Sequence, residues 1–380
     1  MKTLYIAATA FQLITILNIR VNMKTQKGDL ILHEKSIPNS HYIKDRVIES
    51  GLFNNVYLFK DYDSRLNSVF IGKNSLADYL KIVYKKHFSR MDINDFLIGE
   101  GKVDLEKVNE VFCFNKKFLN IIEKYVNIKI NFIDEGVGSY TSGTINASDR
   151  IEKIYLYKPK LAVYYEKYKD KFVTIPTLDA KDVEFRNLLN RVWGYEDIIK
   201  IENNTVLIFD QPWRITPKYF YSFPVAIREN VLVKSKVYKK YDNDEKAKNF
   251  FVNAIKKLQL NNKNVVVKMH PRSSVEMKKY YEAEGLKVLD NTAVPWEIVF
   301  LNLKVNNICL VSMFSTVTLS LGIYFNNSNV SYISVFLYKL ASEEGVEVPK
   351  EIIAFLGEIS KKLKSVRVLV DREEFNAIKC

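Results

Sequence analysis

The chain has 380 residues, 47% of them hydrophobic and 27% charged, with a formal net charge of +13. That balance excludes wholesale disorder, and the length favours two domains over a single core. Its four histidines (His33, His41, His87, His270) are scattered and its three cysteines form no CxxC pair, so no metal site is expected; Cys113 and Cys309 lie in apolar stretches and read as buried free thiols. The basic excess suits a polyanionic partner or an anionic membrane surface, or else a lysine-rich face turned to solvent.

In chain order, the opening MKTLYIAATAFQLITILNI resembles a leader in its apolar run. It carries Thr9 and Gln12, however, and no clear small-x-small cleavage site, so a strand within 3–8 turning into a helix at 11–21 explains it better. Further short apolar runs predict strands at 29–33, 56–59, 111–114 and 128–133, with helices between them at 40–50, 76–87 and 117–125. The Lys- and Tyr-rich segment 150–171 closes this half, and a helix follows at 180–192. Strands then fall at 206–209, 265–268, 286–288, 307–311 and 330–333, with helices at 244–258, 274–284, 295–303, 316–325 and 349–363. Strand–helix alternation with near-continuous apolar strands implies an α/β fold of two doubly wound parallel sheets, expected as domains 1–200 and 201–380 flanking a cleft. No uninterrupted apolar run of about 18 residues occurs elsewhere, so no transmembrane span is expected. The chain reads as cytoplasmic, with peripheral attachment to the inner membrane face as a variant of that reading. The basic amphipathic segment 351–366 suits either a membrane surface or, more simply, a closing helix with lysines in solvent.

Four motifs carry chemistry. Asn131-Phe132-Ile133-Asp134-Glu135-Gly136-Val137-Gly138 takes an apolar strand into two adjacent acids and two glycines. Neighbouring carboxylates repel, which raises one of them toward the range of a general base, and glycine allows a sharp turn and close ligand approach. An acidic solvated loop is the plainer alternative. Val265-Val266-Val267-Lys268-Met269-His270-Pro271-Arg272-Ser273-Ser274 presents a histidine at a strand end, extended by the following proline, beside an arginine and hydroxyls, a sensible anion site. A hydrogen-bonded structural histidine and a serine N-cap would explain it too. Leu310 to Leu319 places Ser315 and Thr316 at the start of a helix, where phosphate or an ordinary cap is served equally well. Glu297, in Pro295-Trp296-Glu297, sits in a first helical turn and has the carboxylate to take ribose hydroxyls.

The order Asp134-Glu135-Gly136, His270-Pro271, Glu297, Ser315-Thr316 resembles the bacterial sialyltransferases of GT-B fold, namely the lipooligosaccharide sialyltransferase and capsular polysialyltransferase families. The separations 297 − 270 = 27 and 315 − 270 = 45 are similar to that pattern. Asp210-Gln211-Pro212 resembles the Gly-Gln-Pro stretch of these families with Asp for Gly, and Ala8-Thr9-Ala10-Phe11-Gln12-Leu13 resembles their first strand–helix turn. The resemblance implies an inverting, metal-independent sialyltransferase with no cofactor, in which a CMP-sialic acid donor serves a glycan acceptor. It makes Glu135 the base, with Asp134 beside it, and has His270 assist departure of the CMP phosphate. Ser315 and Thr316 would hold that phosphate and Glu297 the ribose, while Gln211, Gly136, Pro271 and Arg272 line the donor site. Thr316 departs mildly from a serine pair. The first domain would bind the acceptor, which an anionic glycan would suit, and the second the donor.

Two other readings compete. Asp61-Tyr62-Asp63 and Asp242-Asn243-Asp244 are DxD strings of the kind that bind a divalent cation with a UDP-sugar, though neighbouring lysines favour solvated loops. Tyr157-Lys158-Pro159-Lys160 and the Tyr/Lys run at 164–171 suggest single-strand nucleic-acid binding, but no recognised module accompanies them. No nucleic-acid partner is therefore expected.

Overall fold

The structure is a computed structural model that describes residues 2–60, 93–98, 101–114, 122, 127–141, 150–196, 200–211, 236–261, 264–270, 273–289, 294–313, 315–326, 331–348, 350–368 and 372–378. The expected helices at 76–87 and 117–125 and the Asp61–Asp63 string fall outside these residues, as do Pro271, Arg272 and Pro212, apart from Ile122. The chain divides into two compact units, Met1–Ile198 with Ala293–Asn302, and Ile199–Thr292 with Leu303–Cys380.

The first unit is built on strands β1 (Lys2–Ala7), β2 (Asp29–His33), β3 (Val56–Phe59), β4 (Leu97–Ile98), β5 (Val108–Cys113), β6 (Lys129–Ile133), β7 (Ile151–Leu156) and β8 (Phe172–Thr174). They form one sheet in the order β4-β3-β2-β1-β5-β6-β7-β8. Every pairing is parallel except β3 with β4. From β3 to β7 this is the 3-2-1-4-5-6 order of a doubly wound sheet, reversing direction between β1 and β5. The strands at its centre are buried along almost their whole length, as a sheet covered on both faces requires. The helix Ala10–Asn22 opens at Thr9, whose hydroxyl accepts the Gln12 N–H, and buries Leu13, Ile14, Ile16 and Leu17. Each such side chain contributes about 1.5–3 kcal/mol. The apolar opening of the chain is thus a central strand and its covering helix. Strands β7 and β8 are not predicted within 150–174; Ile-Glu-Lys-Ile-Tyr-Leu buries only Ile151, Ile154 and Leu156, so its polar positions mask the strand.

The second unit carries β9 (Thr205–Phe209), β10 (Val265–Lys268), β11 (Lys287–Leu289), β12 (Asn307–Ser312), β13 (Ser331–Phe336) and β14 (Val366–Val368), all parallel, in the order β11-β10-β9-β12-β13-β14. The 3-2-1-4-5-6 order recurs, reversing between β9 and β12. The core on one face joins Val206, Ile208, Val265, Val267, Val311 and Val335 to Phe251, Ile255 and Leu258 of the helix Lys236–Asn261.

Two expectations are corrected. The Asp242–Asp244 string lies in that helix rather than in a loop. The helix expected at 316–325 is a 3-10 turn, Thr316–Leu319, running into the short α-helix Ser320–Ile323. The amphipathic helix, Lys350–Lys362, buries Phe355, Leu356 and Ile359 in its own unit and leaves Lys361 and Lys362 exposed. No described helix is long and apolar enough to cross a membrane.

Candidate active site

The paired acids stand just past the carboxyl end of β6. Asp134 is fully buried. Its Oδ2 accepts the Tyr140 hydroxyl at 2.6 Å and the Tyr157 N–H at 3.4 Å, and its Oδ1 accepts the Gly136 N–H at 2.9 Å. Those bonds fold the loop back on itself, and Gly136, at φ +124°, supplies a backbone shape that a side chain would resist. The Glu135 N–H donates to the Ser139 hydroxyl at 2.8 Å, and the Tyr164 hydroxyl donates to the Ser139 carbonyl. Asp134 is therefore the anchor of the loop, and Glu135 is the acid it presents.

Glu135 is partly exposed. Gln12 fixes one of its oxygens. The Gln12 Oε1 accepts the Ala8 N–H at 2.6 Å, which orients the amide so that Nε2 donates to Glu135 Oε2 at 3.4 Å. The other oxygen lies over Gly138, where a Cβ would meet Oε1 at 2.8 Å. Burial pushes the Glu135 carboxyl up to about 7, the charge of Asp134 adds to the rise, and the Gln12 amide opposes it. Burial also raises Asp134, against the hydrogen bonds it accepts. A carboxylate poised near neutrality, partly open to solvent and held from two sides, has the properties of a general base. Gln12, Gly138, Tyr140 and Tyr157 are site residues to which no motif assigned a role; the legible signals were Gly138, two residues past Gly136, and Gln12 among the apolar residues that open the first helix.

Glu297 lies in the helix Trp296–Asn302, which packs with the first unit: Asn190 and Asn302 pair their side-chain amides at 3.0 and 2.8 Å. Glu297 is buried, and with burial and Asp134 it helps to raise the Tyr157 hydroxyl. A single division near residue 200 does not place this segment there.

In the second unit, His270 follows β10 and is partly exposed. Its backbone is fixed at both ends. The His270 N–H donates to Asp210 Oδ2 at 3.4 Å and its carbonyl accepts the Ser273 N–H at 2.9 Å. Asp210 ties three elements together, since the Ser273 hydroxyl donates to Oδ2 and the Tyr281 hydroxyl to Oδ1 at 2.5 Å. Burial raises its carboxyl against those bonds. Ser274 caps the helix Val275–Ala283 by accepting the Met277 N–H at 3.3 Å. The two serines after His270-Pro271-Arg272 thus divide their work. Gln211, next along from Asp210, is buried, and its Nε2 has no hydrogen-bond partner among the described residues.

Ser315 takes the N-cap position of the 3-10 turn but makes no side-chain capping bond, and the Thr316 backbone opens that turn. Buried Ser312 closes the turn instead, accepting the Ser315 N–H at 3.0 Å. Thr318 donates to the Ser315 carbonyl at 2.5 Å, and Ser334 to the Thr318 carbonyl at 2.5 Å. The described hydroxyls here hold the turn, while the Ser315 hydroxyl is partly open.

The described residues define a chain of two doubly wound α/β units, one ending in a poised carboxylate and the other in an Asp210-anchored histidine turn. No protein-family model and no curated protein sequence matches the chain. Among solved structures it is similar to the crystal structure of Acinetobacter baumannii MurG, at 10% identity and a TM-score of 0.40, over 99% of this chain and 89% of that one. So loose a likeness assigns neither fold nor chemistry, which stand on the strand orders and side chains above.

Proposed function

We propose that the chain is a glycosyltransferase of the GT-B class that moves sialic acid from CMP-sialic acid to a hydroxyl of a cell-surface glycan, with inversion. The observation that carries this reading is Glu135, raised to about 7 at the end of β6 and gripped by Gln12. The two sheets of 3-2-1-4-5-6 order and the succession of motifs from Asp134 to Thr316 support it.

In the proposed step, Glu135 takes the proton of the acceptor hydroxyl as its oxygen bonds to the anomeric carbon. The bond from that carbon to the phosphate oxygen breaks, and its electron pair leaves with CMP. The sugar passes through oxocarbenium character, so the enzyme's task is to remove one proton and to stabilise phosphate charge. His270, Arg272, Ser315 and Thr316 are assigned to the phosphate, Gln211, Gly136 and Pro271 to the donor pocket, and Glu297 to the ribose. A single leaving phosphate carries less charge than a diphosphate, which lessens the need for a metal. The +13 charge suits an anionic acceptor.

The test offers CMP-sialic acid, UDP-glucose and UDP-N-acetylglucosamine in turn, with a galactoside or an oligosialic acceptor, and follows products by mass spectrometry. Sialylated product and released CMP are expected; transfer from a UDP-sugar alone would refute the donor assignment.

A further inference from the structure

An in-register row crosses the carboxyl ends of three neighbouring strands, Lys268 of β10 opposite Phe209 of β9, and Phe209 opposite Ser312 of β12. Val265, Val267 and Met269 enter the core on one face, so strand alternation puts Lys268 on the other, and Val311 and Met313 likewise put Ser312 there. Lys268 is 3% exposed. Its ammonium donates to the Met269 carbonyl at 2.5 Å, so it is directed along the chain toward His270. Among the described residues it forms no ion pair. The nearby Asp210 already receives the Tyr281 and Ser273 hydroxyls and the His270 N–H. An ammonium has three protons to donate, and this one uses a single described acceptor.

A buried cation without an ion partner is costly, and such groups gather where a ligand completes them. Burial lowers this lysine to about 8, which leaves it mainly charged at neutral pH. A second, independent observation points the same way: the Gln211 carboxamide, 8% exposed, has an Nε2 that donates to no described residue. Both donors stand at the carboxyl ends of β9 and β10, beside the point between β9 and β12 where the strand order reverses and where open α/β sheets take their ligands.

We propose that Lys268, seconded by Gln211, is an anion-binding residue of the second unit that receives a phosphate oxygen of a nucleoside monophosphate moiety. This deepens the donor reading and rests on it for the identity of the nucleotide. Removing a charge-assisted hydrogen bond of this kind weakens binding about ten- to a hundredfold.

The test is calorimetric titration of the full chain and of Lys268→Met and Lys268→Gln with CMP, UMP and cytidine. A buried charge replaced by an apolar side chain of similar volume is often tolerated, and the thermal midpoint checks that both variants fold. Both variants are expected to lose CMP affinity by that factor while cytidine binding stays unchanged. Undiminished CMP affinity in a folded variant would overturn the inference, as would an equal loss for cytidine. A wild type that prefers UMP, weakened by the same substitutions, supports the role of Lys268 and refutes the CMP assignment. A wild type that binds none of the three overturns both.

Discussion

At the scale of single residues, the proposed chemistry rests on Glu135 as the base. Its carboxyl titrates near 7 because burial and Asp134 disfavour the charged form more than Gln12 favours it. The sign of the pH effect follows. A base must be ionised, so kcat/KM is expected to climb about tenfold per pH unit below 7 and to level off above it. Stability runs the other way. A carboxyl raised in the folded state stabilises fully below its unfolded range, and that contribution is lost as pH rises through about 7. Glu135→Gln should lose transfer by a factor of about a thousand or more, at the upper part of what general-base removal costs, and keep CMP affinity. Its thermal midpoint should also vary less between pH 5 and 8. A pH–rate profile and a melting series check both; unchanged turnover in the variant would refute the base assignment. Asp134 illustrates why neighbouring acids in a sequence do not declare their roles. They follow one another directly after β6, yet one is enclosed by Tyr140, Tyr157 and Gly136 and the other is presented.

At the scale of elements, the loop after β6 works as a unit with the first helix. Gly138 leaves the space in which the Glu135 carboxylate lies. Gly138→Ala would set a Cβ 2.8 Å from Oε1, and because that oxygen ends a flexible side chain, the carboxylate would move more readily than the backbone. The expected outcome is a loss of kcat of tenfold or more with a stability cost of about 1 kcal/mol or less, since misplacing a catalytic group by about 1 Å can cost a hundredfold. Turnover and thermal midpoint measured on the same preparation separate the two effects; a variant with full activity would show that Gly138 does not set the position of the base. The turn after β10 is held in the same manner by Asp210, whose buried carboxylate fixes the histidine turn.

At the scale of the whole molecule, each unit has its own sheet, but the chain is not cut once. The segment Ala293–Asn302 belongs with Met1–Ile198, where Asn302 meets Asn190. It brings buried Trp296, Ile298, Val299, Phe300 and Leu301 with it. A fragment ending at residue 200 therefore lacks about five buried apolar side chains, each contributing about 1.5–3 kcal/mol, and is expected to be insoluble or molten. Adding the 293–302 segment back on a flexible linker should improve soluble yield. Equal solubility and equally cooperative melting of the two fragments would contradict the assignment.

The sequence by itself determined the elements whose signal is local. Short apolar runs marked β2, β3, β6, β9 and β10, because a strand covered on both faces must be largely apolar. The alternation of these strands with amphipathic helices implied two parallel sheets, and the acid and histidine motifs were visible at strand ends. Strands β4, β8 and β14 were not, since short edge strands are specified by their neighbours rather than by their own composition, and β7 was hidden by its polar positions. The roles within each motif were likewise decided by the fold. That Gln12 grips Glu135, that Asp210 holds the His270 turn and that Asn302 ties the Glu297 helix to Asn190 depend on contacts 60 to 123 positions apart, while the buried acid is chosen by nearer partners, Tyr140 and Tyr157. Burial and hydrogen-bond direction, which set a carboxylate's charge state, arise only when those distant groups meet.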